Sequence, residues 1–128
     1  MVRRVIKFLV GGVLIAAAAA CAVRPTLGRT RPDLAALISF DDGLFGFAET
    51  YTAGSVGPFR VGDTRFTTVV RLRRFSLLEQ DEAQLRTNSA VWRLALPAKS
   101  GGWAIYTLRF DDERIASVKA YYSVFAGL

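Results

Sequence analysis

Alternation of apolar and polar residues is clearest in the last third of the chain. Three runs rich in β-branched and aromatic residues, 91–96, 103–110 and 115–124, have a period of two, which is typical of β-strands with one buried face. The segments between them, 97–102 and 111–114, are short and contain turn-forming residues. Short connections between consecutive strands predict a three-stranded antiparallel meander.

The two faces of this predicted sheet differ in polarity. One face is apolar and carries Trp92, Leu94, Leu96, Tyr106, Leu108, Phe110, Val118, Tyr122 and Val124. The other face is suited to water or to a polar partner and carries Arg93, Thr107, Arg109, Ser117, Lys119 and Ser123. Because a sheet with one apolar face has to bury it under another layer, we expect the preceding elements to cover it. The predicted fold class is α+β, with short helices packed on one face of the meander.

The region before residue 60 is less regular. Residues 32–52 are apolar on either side of Asp41-Asp42-Gly43, which fits either a hairpin or a short helix over 34–40 followed by a strand. Residues 53–58 contain two glycines and a proline and are predicted to form a loop.

Residues 59–72 are compatible with two structures. In a helix, Asp63 or Thr64 is the N-cap, and Phe66, Val69 and Val70 fall on one face. In a strand, apolar and polar positions alternate from residue 65 to 72, and the β-branched content favours this alternative. Residues 77–86 consist of good helix formers and predict a further helix.

The N-terminus has the three parts of a secretory signal. Arg3, Arg4 and Lys7 precede a run without charge, which ends in small residues before Cys21. The uncharged run covers 8–23 and is shorter than the roughly 20 residues that a helix needs to cross a bilayer. A cleaved leader is therefore expected, and a short retained anchor over 5–23 is the alternative.

The step Ala18-Ala19-Ala20-Cys21 resembles the lipobox of bacterial lipoproteins. The resemblance implies cleavage after residue 20, lipidation of Cys21 and, because Ala22 follows, retention at the periplasmic face of the outer membrane. The predicted organisation is a signal peptide over 1–20, a flexible membrane tether over 21–32 and one small domain over 33–128. An ordinary signal peptide with an incidental cysteine is the alternative.

Composition narrows the classes of function. The chain has no histidine, which excludes catalytic triads and metal sites that use one, and its single cysteine excludes an internal disulfide. Removing Arg3, Arg4 and Lys7 with the leader lowers the formal net charge from +6 to +3, and the other cations are spread along the chain. We therefore predict no nucleic-acid partner, no cofactor and no metal.

Adjacent carboxylates occur in three groups along the chain, 41–42, 81–82 and 111–113. Adjacent acids in turns point apart, so we interpret these groups as solvated turns and a solvated helix face rather than as an acid/base pair. Ser100 follows Lys99 in a glycine-rich turn, where catalytic geometry is rare. An exported enzyme or ligand-binding protein stays open as an alternative, with a pocket between sheet and cover and carboxylates from Asp41, Asp63 or Asp111.

Five residues are candidates for contact with a partner protein or with phospholipid head groups. On a helix, Arg71 and Arg74 share a face and can bind an acidic group together. Trp103 follows a Gly-Gly turn and is available as an anchor, and Arg109 and Lys119 belong to the polar face of the sheet.

These pieces together resemble the SmpA/OmlA family of small outer-membrane lipoproteins, one member of which is an accessory subunit of the β-barrel assembly machinery. The resemblance covers 59–122 and rests on Val61-Gly62-Asp63-Thr64 before the Val69-Val70 pair, on Trp92, and on the turn at 107–118. It implies two helices on a three-stranded antiparallel sheet, and it favours the helix over the strand for 63–72. It also implies a non-catalytic envelope protein that acts in outer-membrane protein assembly or envelope integrity.

Overall fold

The computed structural model describes residues 24–38 and 46–123. The predicted leader with Cys21, the Asp41-Asp42-Gly43 turn and Val124 lie outside the described residues. Residues 24–30 are helical. The elements that follow are α1 (Pro32–Leu37), β1 (Gly46–Tyr51), β2 (Ser55–Val56), β3 (Phe59–Arg60), α2 (Arg65–Leu72), α3 (Glu79–Gln84), β4 (Val91–Pro97), β5 (Trp103–Asp111) and β6 (Arg114–Ser123).

The main sheet has four antiparallel strands in the order β1-β6-β5-β4. The predicted meander is confirmed as β4-β5-β6, but a count of three strands is wrong because β1 adds to the far side of β6. Phe47 of β1 lies opposite Tyr122, and Tyr51 lies opposite Val118, so β1 extends the apolar face by one strand. Of the two alternatives for 32–52, the short helix followed by a strand is confirmed.

The predicted apolar face forms the core wherever it is described. Its eight described residues are all buried, and Phe47, Ala104, Ile115 and Ala120 lie with them in the same cluster. A register shift beside Arg109 and Phe110 allows both Ile115 and Val118 to point inward from β6. The structure is therefore α+β with short helices, as the one-sided sheet required.

Residues 65–72 form helix α2 and not a strand. The N-cap is Thr64, whose hydroxyl accepts a hydrogen bond from the Thr67 amide at 3.2 Å. The predicted apolar stripe does not face the core, because Phe66 is 75% exposed and Val70 is 43% exposed. Thr68 and Leu72 are buried instead.

The orientation of α2 follows from its first residue. The Arg65 guanidinium carbon lies 4.0 Å from the centroid of Phe110 and 5.2 Å from that of Trp92. Cation–π contact and an ion pair with Glu113 at 2.7 Å fix this side chain against the sheet. With Arg65 facing inward, Phe66 is turned to solvent.

Helix α3 is shorter than the predicted helix over 77–86. It begins at Glu79 after Leu78, which offers no side-chain cap, and the backbone turns out of the helix at Leu85. Without a capping residue a helix of this length depends on its contacts with the rest of the fold.

The helical residues 24–30, which the sequence places in the predicted tether, pack against β1. The Tyr51 hydroxyl donates a hydrogen bond to the Pro25 carbonyl oxygen. Gly28 is buried against the ring of Phe47, and any side chain at this position would collide with that ring. The predicted loop over 53–58 contains the start of a small β2–β3 hairpin, in which Gly57 has a φ of +57°.

Candidate functional site

The face of the main sheet opposite the core carries exposed and half-buried side chains from all four strands. Its central row consists of Arg93, Thr107, Lys119 and Thr50, which lie opposite one another on the four strands. The next row toward the start of β5 consists of Ala95, Ile105, Tyr121 and Ala48. We call this surface the open face.

The open face is divided into an apolar part and a basic part. Tyr121 is 36% exposed and shares its row with the half-buried Ile105, and Trp103, in the next row, is 43% exposed. Arg93, Arg109 and Lys119 are exposed on the other side of that row. No Asp or Glu stands among the paired residues of these rows in the described strands. The predicted contact residues Trp103, Arg109 and Lys119 thus share one surface.

Helix α3 lies beside β4, the strand at one edge of the sheet. The Asp81 carboxylate accepts a hydrogen bond from the Ala95 amide at 3.0 Å. The Gln84 side chain accepts one from the Arg93 amide and donates one to the Arg93 carbonyl oxygen at 3.0 Å. Two side chains thus occupy backbone groups that an adjacent strand would use, which protects the edge from pairing with another chain.

The interpretation of 81–82 as a solvated helix face is wrong for Asp81. Only 3% of Asp81 is exposed, whereas its neighbour Glu82 is exposed. The reason is the bond to the backbone of β4, which the composition of the helix does not reveal.

The two predicted basic residues of the α2 region are not a matched pair. Arg71 donates a hydrogen bond to the Asp63 carboxylate at 2.8 Å and another to the Pro58 carbonyl oxygen at 3.3 Å. Arg74 is exposed and lies after the end of the helix at Leu72. Arg71 therefore joins α2 to the preceding loop, and Arg74 does not share its surroundings.

The described carboxylates named as alternative catalytic groups have separate surroundings. Asp63 is paired with Arg71, and Asp111 is exposed at the end of β5. Asp41 lies outside the described residues. Within residues 24–38 and 46–123, no group of three or more acidic or cysteine side chains is placed to hold a metal ion.

A buried ionic cluster that sequence reasoning missed joins α1 to the turn between β4 and β5. Asp33 is 2% exposed and accepts two hydrogen bonds from the Arg31 guanidinium, both at 3.0 Å. Its carboxylate also accepts hydrogen bonds from the Ser100 amide at 3.1 Å and from the Ser100 hydroxyl. Asp33 and Ser100 are 67 residues apart, so no local pattern signals the pair.

The charge state of Asp33 is set by these bonds. Burial by itself raises the pKa of the Asp33 carboxyl, but the hydrogen bonds from Arg31, Ser100 and the Leu34 backbone outweigh burial and hold the pKa well below its usual value. Ser100 therefore donates to a carboxylate that stays ionised and does not accept its proton. The pair anchors a turn.

A pocket of about 140 Å³ lies beside this cluster. Leu96, Ala104 and Tyr106 contribute from the sheet, and Gly57 and Pro58 contribute from the β2–β3 turn. Burial raises the pKa of the Tyr106 hydroxyl to about 12, and the nearby Asp33 charge adds to this effect. The hydroxyl therefore keeps its proton at neutral pH.

Compared with protein-family models, curated proteins and solved structures, the chain matches none of them. In the part of the chain that the structure describes, no helix has the length and apolar content needed to cross a bilayer. The open face and the predicted lipidation site are therefore the features of the chain that bear on its function.

Proposed function

We propose that this chain is a non-catalytic bacterial envelope lipoprotein, tethered to the periplasmic face of the outer membrane through Cys21. It acts as an interaction module that binds an acidic envelope protein through the open face. The observation that carries the proposal is the pair of exposed aromatic residues Trp103 and Tyr121, with the half-buried Ile105 beside them, next to three exposed cations on the same face of the sheet. By resemblance to the SmpA/OmlA lipoproteins, the process it serves is outer-membrane protein assembly or envelope integrity.

The composition of the open face supports a protein partner. Aromatic residues and arginine are enriched at the residues that dominate binding energy in protein interfaces, and both occur here. No carboxylate lies directly opposite Arg93, Arg109 or Lys119 on a neighbouring strand, so an acidic partner supplies the complementary charge.

The position of the apolar side chains favours a protein over a lipid surface. Ile105 and Tyr121 lie inside the sheet and not at the tip of a loop. Inserting them among acyl chains would bring the charged row of Arg93 and Lys119 into the headgroup region with them. A protein partner can instead cover the apolar side chains with its own apolar residues and pair the cations with acidic groups.

The tether is tested by labelling cells with a palmitate analogue. We expect label on the wild-type chain and on an Ala22→Ser control, and none on Cys21→Ser, because the acyl groups attach only at the cysteine. A wild-type chain that carries no label contradicts the tether; Met1 on the mature chain would then select the retained anchor over an ordinary cleaved signal peptide.

The partner surface is tested by placing a photocrosslinking phenylalanine at residue 121 in the source cells. The matched control carries the same group at residue 66, because the native Phe66 is exposed on helix α2 and is not part of the open face. We expect one discrete protein adduct from position 121 and none of that size from position 66. Adducts to phospholipid alone contradict the proposal and assign the face to the membrane.

Charge reversal tests the electrostatic part. The test variant replaces Arg93, Arg109 and Lys119 by glutamate, and the control replaces Arg60, Arg73 and Arg86, which are equally exposed elsewhere. We expect the adduct from position 121 to disappear only in the test variant. An adduct of unchanged yield in the test variant refutes an acidic partner.

A further inference from the structure

The two edges of the main sheet differ in their protection. At the β4 edge, side chains of Asp81 and Gln84 bond to backbone groups that point out of the sheet. Strand β1 forms the other edge and pairs only with β6. Helix α1 packs against both β1 and β6, so it lies over the apolar face of these strands and not beside the outer edge of β1.

The backbone groups that point outward from β1 follow from the alternation of the antiparallel ladder. Because the Arg93 and Ala95 amides point away from β5 toward α3, the residues of β5 that bond to β6 include Thr107. The same alternation continued through β6 leaves the N–H and C=O groups of Ala48 and Thr50 pointing outward. Within residues 24–38 and 46–123, no side chain and no other element bonds to these groups.

Such an edge selects an extended polypeptide. The N–H and C=O groups of an added strand have the spacing of those on Ala48 and Thr50, so main-chain hydrogen bonds alone can hold it. Thr50 is exposed, which leaves the edge accessible at this position. The edge of β1 is therefore a docking site for a fifth strand.

Glu49 restricts which strand can add. It is half-buried on the apolar side of β1, and no ion pair joins it to another described residue. A residue directly opposite on an added strand has its Cβ atom about 5 Å away, so a cation there is stabilising and an acid is destabilising. A second copy of the chain centred on this position would place two Glu49 side chains opposite each other. The charge therefore favours a different protein with a basic residue at this point.

The open face selects the two residues that flank this cation. An added residue opposite Thr50 extends the row that contains Lys119. Two strand spacings separate the added residue from Lys119 by about 10 Å, a gap that an acidic side chain and a lysine can close together. An added residue opposite Ala48 extends the row that contains the exposed Tyr121, where an apolar side chain fits.

We propose that the outer edge of β1 binds an extended segment of a partner protein as an antiparallel fifth strand. In the direction of the partner chain, the segment has an acidic residue opposite Thr50, a basic residue opposite Glu49 and an apolar residue opposite Ala48. The inference rests on the proposed function only in taking this segment from the same partner that covers the open face.

The experiment uses the full-length protein in detergent and the capped pentapeptide TEKVT as the probe. Its glutamate, lysine and valine are placed to lie opposite Thr50, Glu49 and Ala48. We expect saturable NMR shifts of the Ala48 and Thr50 amides. The matched peptide TKEVT has the same composition but places glutamate opposite Glu49, and it should bind at least about five-fold more weakly.

Methylation of single peptide amides tests the main-chain bonds on the wild-type protein. In the added strand the valine amide faces β1, whereas the lysine amide faces away. N-methylation of the valine should weaken binding about ten-fold, because one hydrogen bond is lost and a carbonyl is left unpaired, and N-methylation of the lysine should weaken it less than about two-fold.

A pair of protein variants tests the same edge. Thr50→Pro removes an outward amide that the ladder with β6 does not use, and proline is tolerated at such edge positions. We expect this variant to lose about ten-fold in affinity for TEKVT, the equivalent of one main-chain bond. The control Thr50→Val keeps the amide and should bind like the wild type.

Four results overturn the proposal: no saturable shifts with TEKVT, equal affinity of TKEVT, equal affinity of the two methylated peptides, or full affinity in a folded Thr50→Pro. A wild-type dimer that Thr50→Pro dissociates overturns it in favour of a second copy. Slow hydrogen exchange of the Thr50 amide without peptide overturns it in favour of a segment of this chain. The adduct from position 121 reports on the proposed function separately, because it persists when the edge binds nothing.

Discussion

Replacing Asp81 by alanine tests the view that α3 substitutes for a neighbouring strand along β4. The change removes the carboxylate that accepts a hydrogen bond from the Ala95 amide at 3.0 Å. Because Asp81 is 3% exposed, water reaches that amide only if α3 moves away from the strand. We therefore expect both lower stability and a local opening of the edge.

The size of the loss follows from the single bond. A hydrogen bond to a charged group contributes roughly 1.5–3 kcal/mol, and an unsatisfied buried donor costs about 1–3 kcal/mol. Alanine also relieves the cost of burying a carboxylate, which offsets part of the loss. We expect the free energy of unfolding to fall by about 1–2 kcal/mol, which lowers Tm by about 4–16 °C in a domain of this size.

The assay combines urea denaturation with hydrogen exchange of the Ala95 amide. Glu82→Ala is the matched control, because Glu82 is also an acid in the first turn of α3 but is exposed. Helix propensity and helix-dipole effects are therefore common to both variants. We expect Glu82→Ala to change the free energy of unfolding by less than about 0.5 kcal/mol. Equal losses in the two variants, or unchanged exchange at Ala95 in Asp81→Ala, refute the reasoning.

Three further variants test other parts of the structure by denaturation. The folded state lowers the pKa of Asp33, so the unfolded chain takes up the proton first as the pH falls. The free energy of unfolding should therefore decrease below about pH 4. Because Asp33→Asn has no carboxyl at this position, it should lose less stability than the wild type between pH 7 and pH 3. Thr64→Ala removes the N-cap of α2 and should cost about 1 kcal/mol, against no measurable change for the exposed Thr52→Ala. Gly57→Ala should lower the free energy of unfolding more than Gly62→Ala does. Both glycines have a positive φ, but only a Cβ atom at residue 57 would contact Tyr106. Equal losses in the two variants would contradict that contact.

The β4-β5-β6 part of the sheet could be predicted because local pattern and global fold agree there. Each strand alternates apolar and polar residues, and its connections are too short for anything other than antiparallel neighbours. Both alternatives for residues 32–52 include a strand in the region of β1, although Glu49 faces the same side as Phe47 and Tyr51 and interrupts the alternation. Its place beside β6 depends on a pairing across about 70 residues, which no local signal encodes.

Helix α2 shows how a tertiary contact overrides composition. The β-branched content of residues 65–72 favours a strand, and the helical alternative places Phe66 and Val70 on one apolar face. In the structure Thr64 caps the helix, while Arg65 stacks on Phe110 and turns Phe66 to solvent. An apolar pattern does not mark an arginine as an inward-facing residue. The sequence therefore predicts the helix as one alternative but predicts the wrong buried side.

The candidate sites differ in the same way. Trp103, Arg109 and Lys119 could be placed on one surface from the sequence because strand periodicity alone determines which side of a sheet a residue occupies. The pocket could not be predicted, because Tyr106 has the pattern of a core residue and Gly57 that of a turn residue. Only the fold brings Gly57 close to the Tyr106 hydroxyl, so that both residues line one pocket. The side of a sheet that a residue occupies can therefore be predicted from the sequence. A pocket whose lining comes from the sheet, the β2–β3 turn and the segment around Asp33 can be found only once the fold is known.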